Sequence, residues 1–192
     1  MRRHWFLGLV ALALATGATL AAQNAPGRAE SKDMTLVAHH DLQARSAYQP
    51  TIHRHGNRYI AYIGHHGGEQ RNSLTGALEM NGTSILDVTN PRAPRYLAHI
   101  PGEKGQGEQG GAQMARVCNG SDLPNAPDDK VYLLRSFGTS GHEIWDVTDP
   151  AKPVKVITLL EGLRNNHKSF WECNTGIAYV VSGPKDWRVR RM

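Results

Sequence analysis

The chain is rich in groups that bind metals. It carries 10 histidines among 192 residues, and His65 and His66 stand side by side just before Gly67, Gly68 and Glu69. His142 and His167 follow downstream. Imidazole nitrogens together with a carboxylate oxygen suit a divalent transition metal, copper or zinc above all. His65, His66, Glu69, His142 and His167 are therefore the candidate metal ligands, and a metal held there would support oxidase-type chemistry. Their spacing matches no dedicated motif such as His-Glu-x-x-His, so the set depends on the fold to converge. Other chemistries lack their signatures. There is no Gly-x-Ser-x-Gly nucleophile elbow. The Gly-rich stretch 101–111, with Glu103 and Glu108, lacks the Gly-Lys-Ser/Thr ending of a phosphate loop and reads as a flexible linker. No catalytic residue is assigned.

The elements that must hold these groups are short strands. Tyr59-Ile60-Ala61-Tyr62-Ile63, Tyr96-Leu97-Ala98-His99-Ile100, Val131-Tyr132-Leu133-Leu134, Val154-Lys155-Val156-Ile157 and Ile177-Ala178-Tyr179-Val180-Val181 are β-branched or aromatic runs bounded by Gly, Asn, Asp and Pro. No amphipathic helix follows Ala22. Residues 83–94 and 142–153 are near copies, six of twelve positions being identical at an offset of 59. In each copy an aspartate, Asp87 or Asp146, ends a strand where its carboxylate can accept backbone N–H groups in an Asx turn. Pro91 and Pro150 then force a turn, and Pro94 and Pro153 open the next strand where no N–H is needed. The shared motif is a structural corner between antiparallel strands; no acid or base recurs beside its aspartates.

Repeated four-strand units of this spacing suggest a β-propeller. The segments Ile85-Leu86-Asp87-Val88-Thr89-Asn90-Pro91-x-x-Pro94 and Ile144-Trp145-Asp146-Val147-Thr148-Asp149-Pro150-x-x-Pro153 resemble the LVIVD repeat, as do the lead runs containing Ala61-Tyr62 and Ala178-Tyr179. The resemblance spans roughly residues 46–189. Its relatives are mostly exported β-propellers, which implies an all-β ring of four-stranded antiparallel blades. The expected strands lie near 48–54, 58–63, 84–87 and 95–100 for blade one (46–100). Blade two (101–160) would use 113–118, 131–136, 143–147 and 154–160, and a partial blade three (161–192) would use 168–173 and 177–181 with another from Trp187. That gives about two and a half blades, too few to close a ring, and predicts an incomplete propeller. On this layout one rim gathers the candidate histidines with Glu69, Glu103 and Glu108. Cys118 and Cys173 both end first strands of adjacent blades, which makes a disulfide the leading pairing, with two free thiols as the alternative.

The ends of the chain account for its charge. Residues 1–22 read as a basic start, an apolar run and small residues at a cleavage point, the order of a secretory signal peptide. Residues 23–45 form an N-terminal linker, and no later stretch is apolar enough to cross a bilayer. Once Arg2 and Arg3 leave with the signal, the 22 cations become 20 against 17 anions, and three of those are Arg188, Arg190 and Arg191 at the far end. No basic stripe remains, which excludes nucleic acid as a partner. The expectation is an exported, periplasmic or envelope-associated propeller scaffold that binds a protein or small molecule at its rim, with a Cu or Zn enzyme as the alternative.

Overall fold

Frequent Gly, Asn, Asp and Pro cut the chain into short extended segments, and the β-branched and aromatic residues between them pair as strands. The computed structural model describes residues 32–164, 166 and 168–180. The expected signal, the start of the linker, His167 and everything from residue 181 onward lie outside the described residues. The chain divides into two compact units, Met1–Leu36 and Val37–Met192, and the strands among the described residues belong to the second. The protein is all-β: the described residues contain no α-helix, only 3-10 turns at Leu42–Ala44 and Gly120–Asp122.

The first sheet joins β1 (Tyr48–His55) and β2 (Arg58–Gly67), which are followed by a small hairpin of β3 (Glu69–Arg71) and β4 (Leu78–Met80). The sheet then continues with β5 (Thr83–Asp87) and β6 (Arg95–Ile100), giving the antiparallel order β1-β2-β5-β6. Strand β7 (Gly107–Ala112) pairs with the far end of β2. The second sheet contains β8 (Ala115–Asn119), β9 (Val131–Phe137), β10 (Gly141–Asp146) and β11 (Val154–Leu160) in sequence order. Strands β12 (Ser169–Glu172) and β13 (Ile177–Val180) form a further antiparallel pair.

Two expectations change. His65 and His66 do not begin a loop; β2 runs on through Gly67, and a hairpin follows. The Gly-rich stretch is not a free linker, because its end is strand β7, paired at His65–Ala112 and His66–Gly111. Glycine permits this contact: Gly111 has φ 79°, and a Cβ there would lie 2.3 Å from the His65 carbonyl oxygen.

The repeated corner is the same in both sheets, bond for bond. Thr89 N donates to Asp87 Oδ1 and Thr148 N to Asp146 Oδ1, each at 2.9 Å, as an Asx turn requires. The next residue repeats the device, with Arg92 N on Asn90 Oδ1 and Ala151 N on Asp149 Oδ1. The hydroxyls of Thr89 and Thr148 accept the N–H groups of Tyr59 and Val131 at the start of the neighbouring strand. Each carboxylate also holds cations: Arg58 and Arg95 on Asp87, Lys130 on Asp146. Hydrogen bonds from Thr89 outweigh burial and, with the two arginines, hold Asp87 well below the usual carboxylate range. Asp87 and Asp146 are structural.

The sheets pack face to face. Ile60, Tyr62, Ile85, Ala98 and Ile100 of the first meet Ala115, Leu133 and Val147 of the second. Fully burying each large apolar side chain in this layer stabilises by about 1.5–3 kcal/mol. On the second sheet's other face, Cys118 and Leu134 meet Trp171 of β12. First strands lie next to first strands at both junctions. His53 Nε2 bonds Asn119 Oδ1 at 2.9 Å, and Cys118 is joined to Cys173 by a disulfide with Cα atoms 5.6 Å apart. His53 and Cys118 occupy equivalent places, opposite Ile60 and Tyr132, each two residues beyond the cation that holds its corner aspartate. A disulfide spanning 55 residues constrains the unfolded chain by about 4 kcal/mol on the loop-entropy account. Cys118→Ser with Cys173→Ser is therefore expected to lower Tm by roughly 10 °C in a thermal melt; an unchanged Tm would show that the bridge contributes nothing.

Candidate functional site

The sequence candidates for metal binding take up different environments. His65 is fully buried, and both ring nitrogens are engaged, Nδ1 by the Ser46 carbonyl and Nε2 by Ser84 Oγ at 2.6 Å. His66 packs its ring on Tyr48, 4.8 Å between centroids, with Nε2 buried and unbonded. Glu69 is exposed at the start of β3. His142 is fully buried in β10 with neither ring nitrogen in a well-formed hydrogen bond, and burial pushes it down to about 4 against a neighbouring Asn166. Among the described residues no group of three or more His, Cys, Asp or Glu is arranged to hold a metal ion.

What distinguishes the first sheet from the second is an insertion. The cation and aspartate that pair across the corner are 29 residues apart in the first sheet (Arg58 and Asp87) and 16 apart in the second (Lys130 and Asp146). The surplus is the β3–β4 hairpin. Asn72 and Thr75 close its turn on Glu79, each with a 3.1 Å hydrogen bond to the carboxylate. Glu79 in turn takes His99 Nδ1 of β6 at 2.7 Å, which fastens the hairpin to the sheet. Burial would raise Glu79, but the hydrogen bonds from His99, Asn72 and Thr75 win and keep it ionised below its ordinary value.

A strap at residues 39–46 runs beside the hairpin. Leu42, Gln43 and Ala44 are three successive residues at φ 52°, 58° and 60°, a left-handed turn that costs about 1–2 kcal/mol per residue. The burial of Leu42 against Ala61, Ile63 and Leu86 helps to offset that cost. So do bonds to the hairpin: Gln43 Nε2 donates to Ser73 Oγ at 2.7 Å, and Arg45 donates to the Gln70 carbonyl at 3.1 Å.

Between strap, hairpin and β6 lies a cleft of about 500 Å³ lined by His40, Asp41, Gln43, Arg71, Ser73 and Tyr96. Behind it runs a hydrogen-bonded chain: Tyr96 OH to Ser84 Oγ at 2.6 Å, and Ser84 Oγ to His65 Nε2 at 2.6 Å. The direction of this chain follows from its end. The Ser46 carbonyl only accepts, so His65 carries its proton on Nδ1 and accepts at Nε2. Ser84 therefore donates to His65 and accepts from Tyr96. Burial pushes His65 down to about 4, which keeps it neutral and preserves this arrangement, and burial likewise raises the Tyr96 phenol. The Tyr96 proton is directed inward and its lone pairs remain available to the cleft. The His40 ring stacks on Tyr96 at 5.6 Å.

The charge around the cleft is unbalanced. Arg45 is 4% exposed, its Nε is buried without a partner, and among the described residues no carboxylate lies within salt-bridge distance of it. Arg71 is in the same position, its recorded bond being to the Gly76 carbonyl. Sequence reasoning missed Tyr96, Arg71, Ser73, Gln43 and Arg45, since each is an ordinary residue type with no motif. The length difference between the two second-to-third-strand connections was the available signal. Comparison with family models, curated proteins and solved structures gives no match.

Proposed function

We propose that the chain carries blades of an exported LVIVD-type β-propeller that works as a binding scaffold at the cell envelope, with the strap–hairpin cleft as its binding surface. Strands β1-β2-β5-β6 of the five-stranded first sheet and the four-stranded second sheet then correspond to blades one and two, and β12 and β13 begin blade three. One observation carries the assignment of the surface: the cleft is built from the segments by which blade one departs from blade two, on top of a corner and core that the two share. Repeated parts build the scaffold, and unrepeated parts placed on it are where specific recognition resides.

The test is a thermal-shift screen of the full chain against a panel of small polar metabolites, acids, amines and neutral polyols included. The expected result is at least one compound that raises Tm in the native protein and not in Arg71→Ala or Ser73→Ala, both exposed positions whose loss leaves the fold intact. No shift from any compound, or shifts unchanged in both variants, would remove the cleft as a binding surface.

A second reading, a Cu- or Zn-dependent enzyme, draws on His142, both of whose ring nitrogens are buried without hydrogen-bond partners, and on His66, whose Nε2 is. They fit a metal better than His65, whose nitrogens are both engaged. Elemental analysis of untagged protein tests it: stoichiometric copper or zinc that is lost in His142→Ala supports this reading, and a content that does not change removes His142 as a ligand.

A further inference from the structure

The donors and acceptors that line the cleft constrain what it can hold. On the hairpin, Arg71 offers guanidinium N–H groups and has no carboxylate partner among the described residues. Ser73 accepts Gln43 Nε2 at 2.7 Å, which leaves its own O–H to donate outward. Gln43 ties the two elements together: one amide N–H donates to Ser73 Oγ, its Oε1 accepts Arg45 at 2.8 Å and the Ser73 N–H at 3.3 Å, and its second amide N–H is left to donate. On the other side, Asp41 uses Oδ1 on the Gln43 N–H at 3.0 Å and keeps Oδ2 as an acceptor. Tyr96, its proton committed to Ser84, also presents only lone pairs. Arg71 and Ser73 of the hairpin thus present donors, while Asp41 and Tyr96 present acceptors.

Arg45 of the strap is buried behind Gln43 with no carboxylate within salt-bridge distance among the described residues, and an approaching anion would offset the cost of burying its charge. Hydrogen bonds between charged groups are the strong ones, and a guanidinium matches a carboxylate with two parallel N–H donors. Opposite it, Asp41 and Tyr96 ask for hydroxyl or ammonium hydrogens. A volume of about 500 Å³ is within the range of small-molecule sites.

We propose that the cleft binds a sugar acid: a carboxylate received by Arg71 and the Ser73 hydroxyl, and ring hydroxyls donating to Asp41 and the Tyr96 oxygen. This rests on the reading of the cleft as the binding surface. Uncompensated arginines explain the acid group, and the two outward acceptors explain why a bare carboxylate would leave half of the cleft unused.

The test titrates the full chain by calorimetry with D-glucuronate, D-glucose and L-threonine. D-Glucuronate is expected to bind, with D-glucose at least about tenfold weaker, the cost of losing one charge-assisted contact. Arg71→Gln should weaken D-glucuronate by at least about tenfold while leaving the Tm of the free protein unchanged. Tyr96→Phe should weaken it by a smaller factor, and Asp41→Asn should do the same from the acceptor side. D-Glucose binding as tightly as D-glucuronate would overturn the acid, and L-threonine binding more tightly than both would overturn the sugar. In either case sensitivity to Arg71→Gln would leave the cleft itself as the binding surface. Binding of none of the three, combined with a metabolite that shifts Tm only when Arg71 and Ser73 are intact, would overturn the sugar acid alone. Silence in both experiments would overturn the cleft as well.

Discussion

Arg135→Met is expected to lower the unfolding free energy by about 3–5 kcal/mol, the usual cost of leaving one partner of a buried ion pair behind. Arg135 of β9 is 1% exposed and binds Glu143 Oε2 of β10 through Nε at 3.0 Å and through a terminal nitrogen at 2.7 Å. The same guanidinium reaches across to the first sheet, donating to the Ile100 carbonyl at 3.0 Å and the Pro101 carbonyl at 2.7 Å. Trp145 closes the pair, its indole N–H on Glu143 at 2.9 Å and its ring 5.0 Å from the guanidinium. Removing the cation leaves the buried carboxylate to the Trp145 N–H and the half-exposed Lys155 ammonium 3.5 Å from Oε1, and takes the Arg135 donors from two backbone carbonyls. The double variant Arg135→Met with Glu143→Leu should recover part of the loss, because the stranded charge is gone while the two carbonyls still lack a donor. Chemical denaturation of the three proteins measures both values; a double variant no more stable than Arg135→Met would show that the carbonyl contacts carry the whole effect.

Acidification is the second large effect. His65 and His142 are fully buried, and burial holds both down to about 4. In the unfolded chain a histidine titrates near 6.5. Between those values the unfolded state binds protons that the folded state refuses, so stability is complete above pH 6.5 and falls as pH drops toward 4. Each histidine contributes up to about 1.4 kcal/mol per pH unit across that window. Below it Asp87 adds to the loss: its carboxyl is held down in the folded state, so its contribution fades as acid protonates it. His65→Gln should flatten part of the slope between pH 6.5 and 4 in a series of denaturation curves. A stability independent of pH over that interval would show that neither imidazole is buried in its neutral form.

The strands were legible because their signals are local. Six identical positions in the two corner segments, with Asp, Asn and Pro at fixed offsets, already specify Asx turns between antiparallel strands, and the hydrogen bonds of Asp87 and Asp146 match one another in detail. Strand positions in both sheets and in β12 and β13 follow the expected spans closely. The β3–β4 hairpin was not legible, since its strands have three residues each and are supported by Glu79 and His99 rather than by their own pattern. Nor was the pairing of β7, whose glycine-rich sequence has little strand propensity and is held by close backbone approach.

The histidines show where residue type misleads. His65 attracted attention as a ligand, yet its surroundings use both nitrogens to fix a proton chain that ends at Tyr96. By itself the sequence determined an all-β chain of repeated antiparallel strands, with its corners and the places of Cys118 and Cys173, because turn chemistry and side-chain alternation act over a few residues. Only the tertiary structure decided that a strap and an inserted hairpin, more than twenty residues apart, enclose a cleft that brings Arg71 and Ser73 opposite Asp41 and Tyr96. That arrangement comes from packing Leu42 on the outer face of the first sheet and from the direction of hydrogen bonds set by the Ser46 carbonyl, neither of which any local pattern encodes.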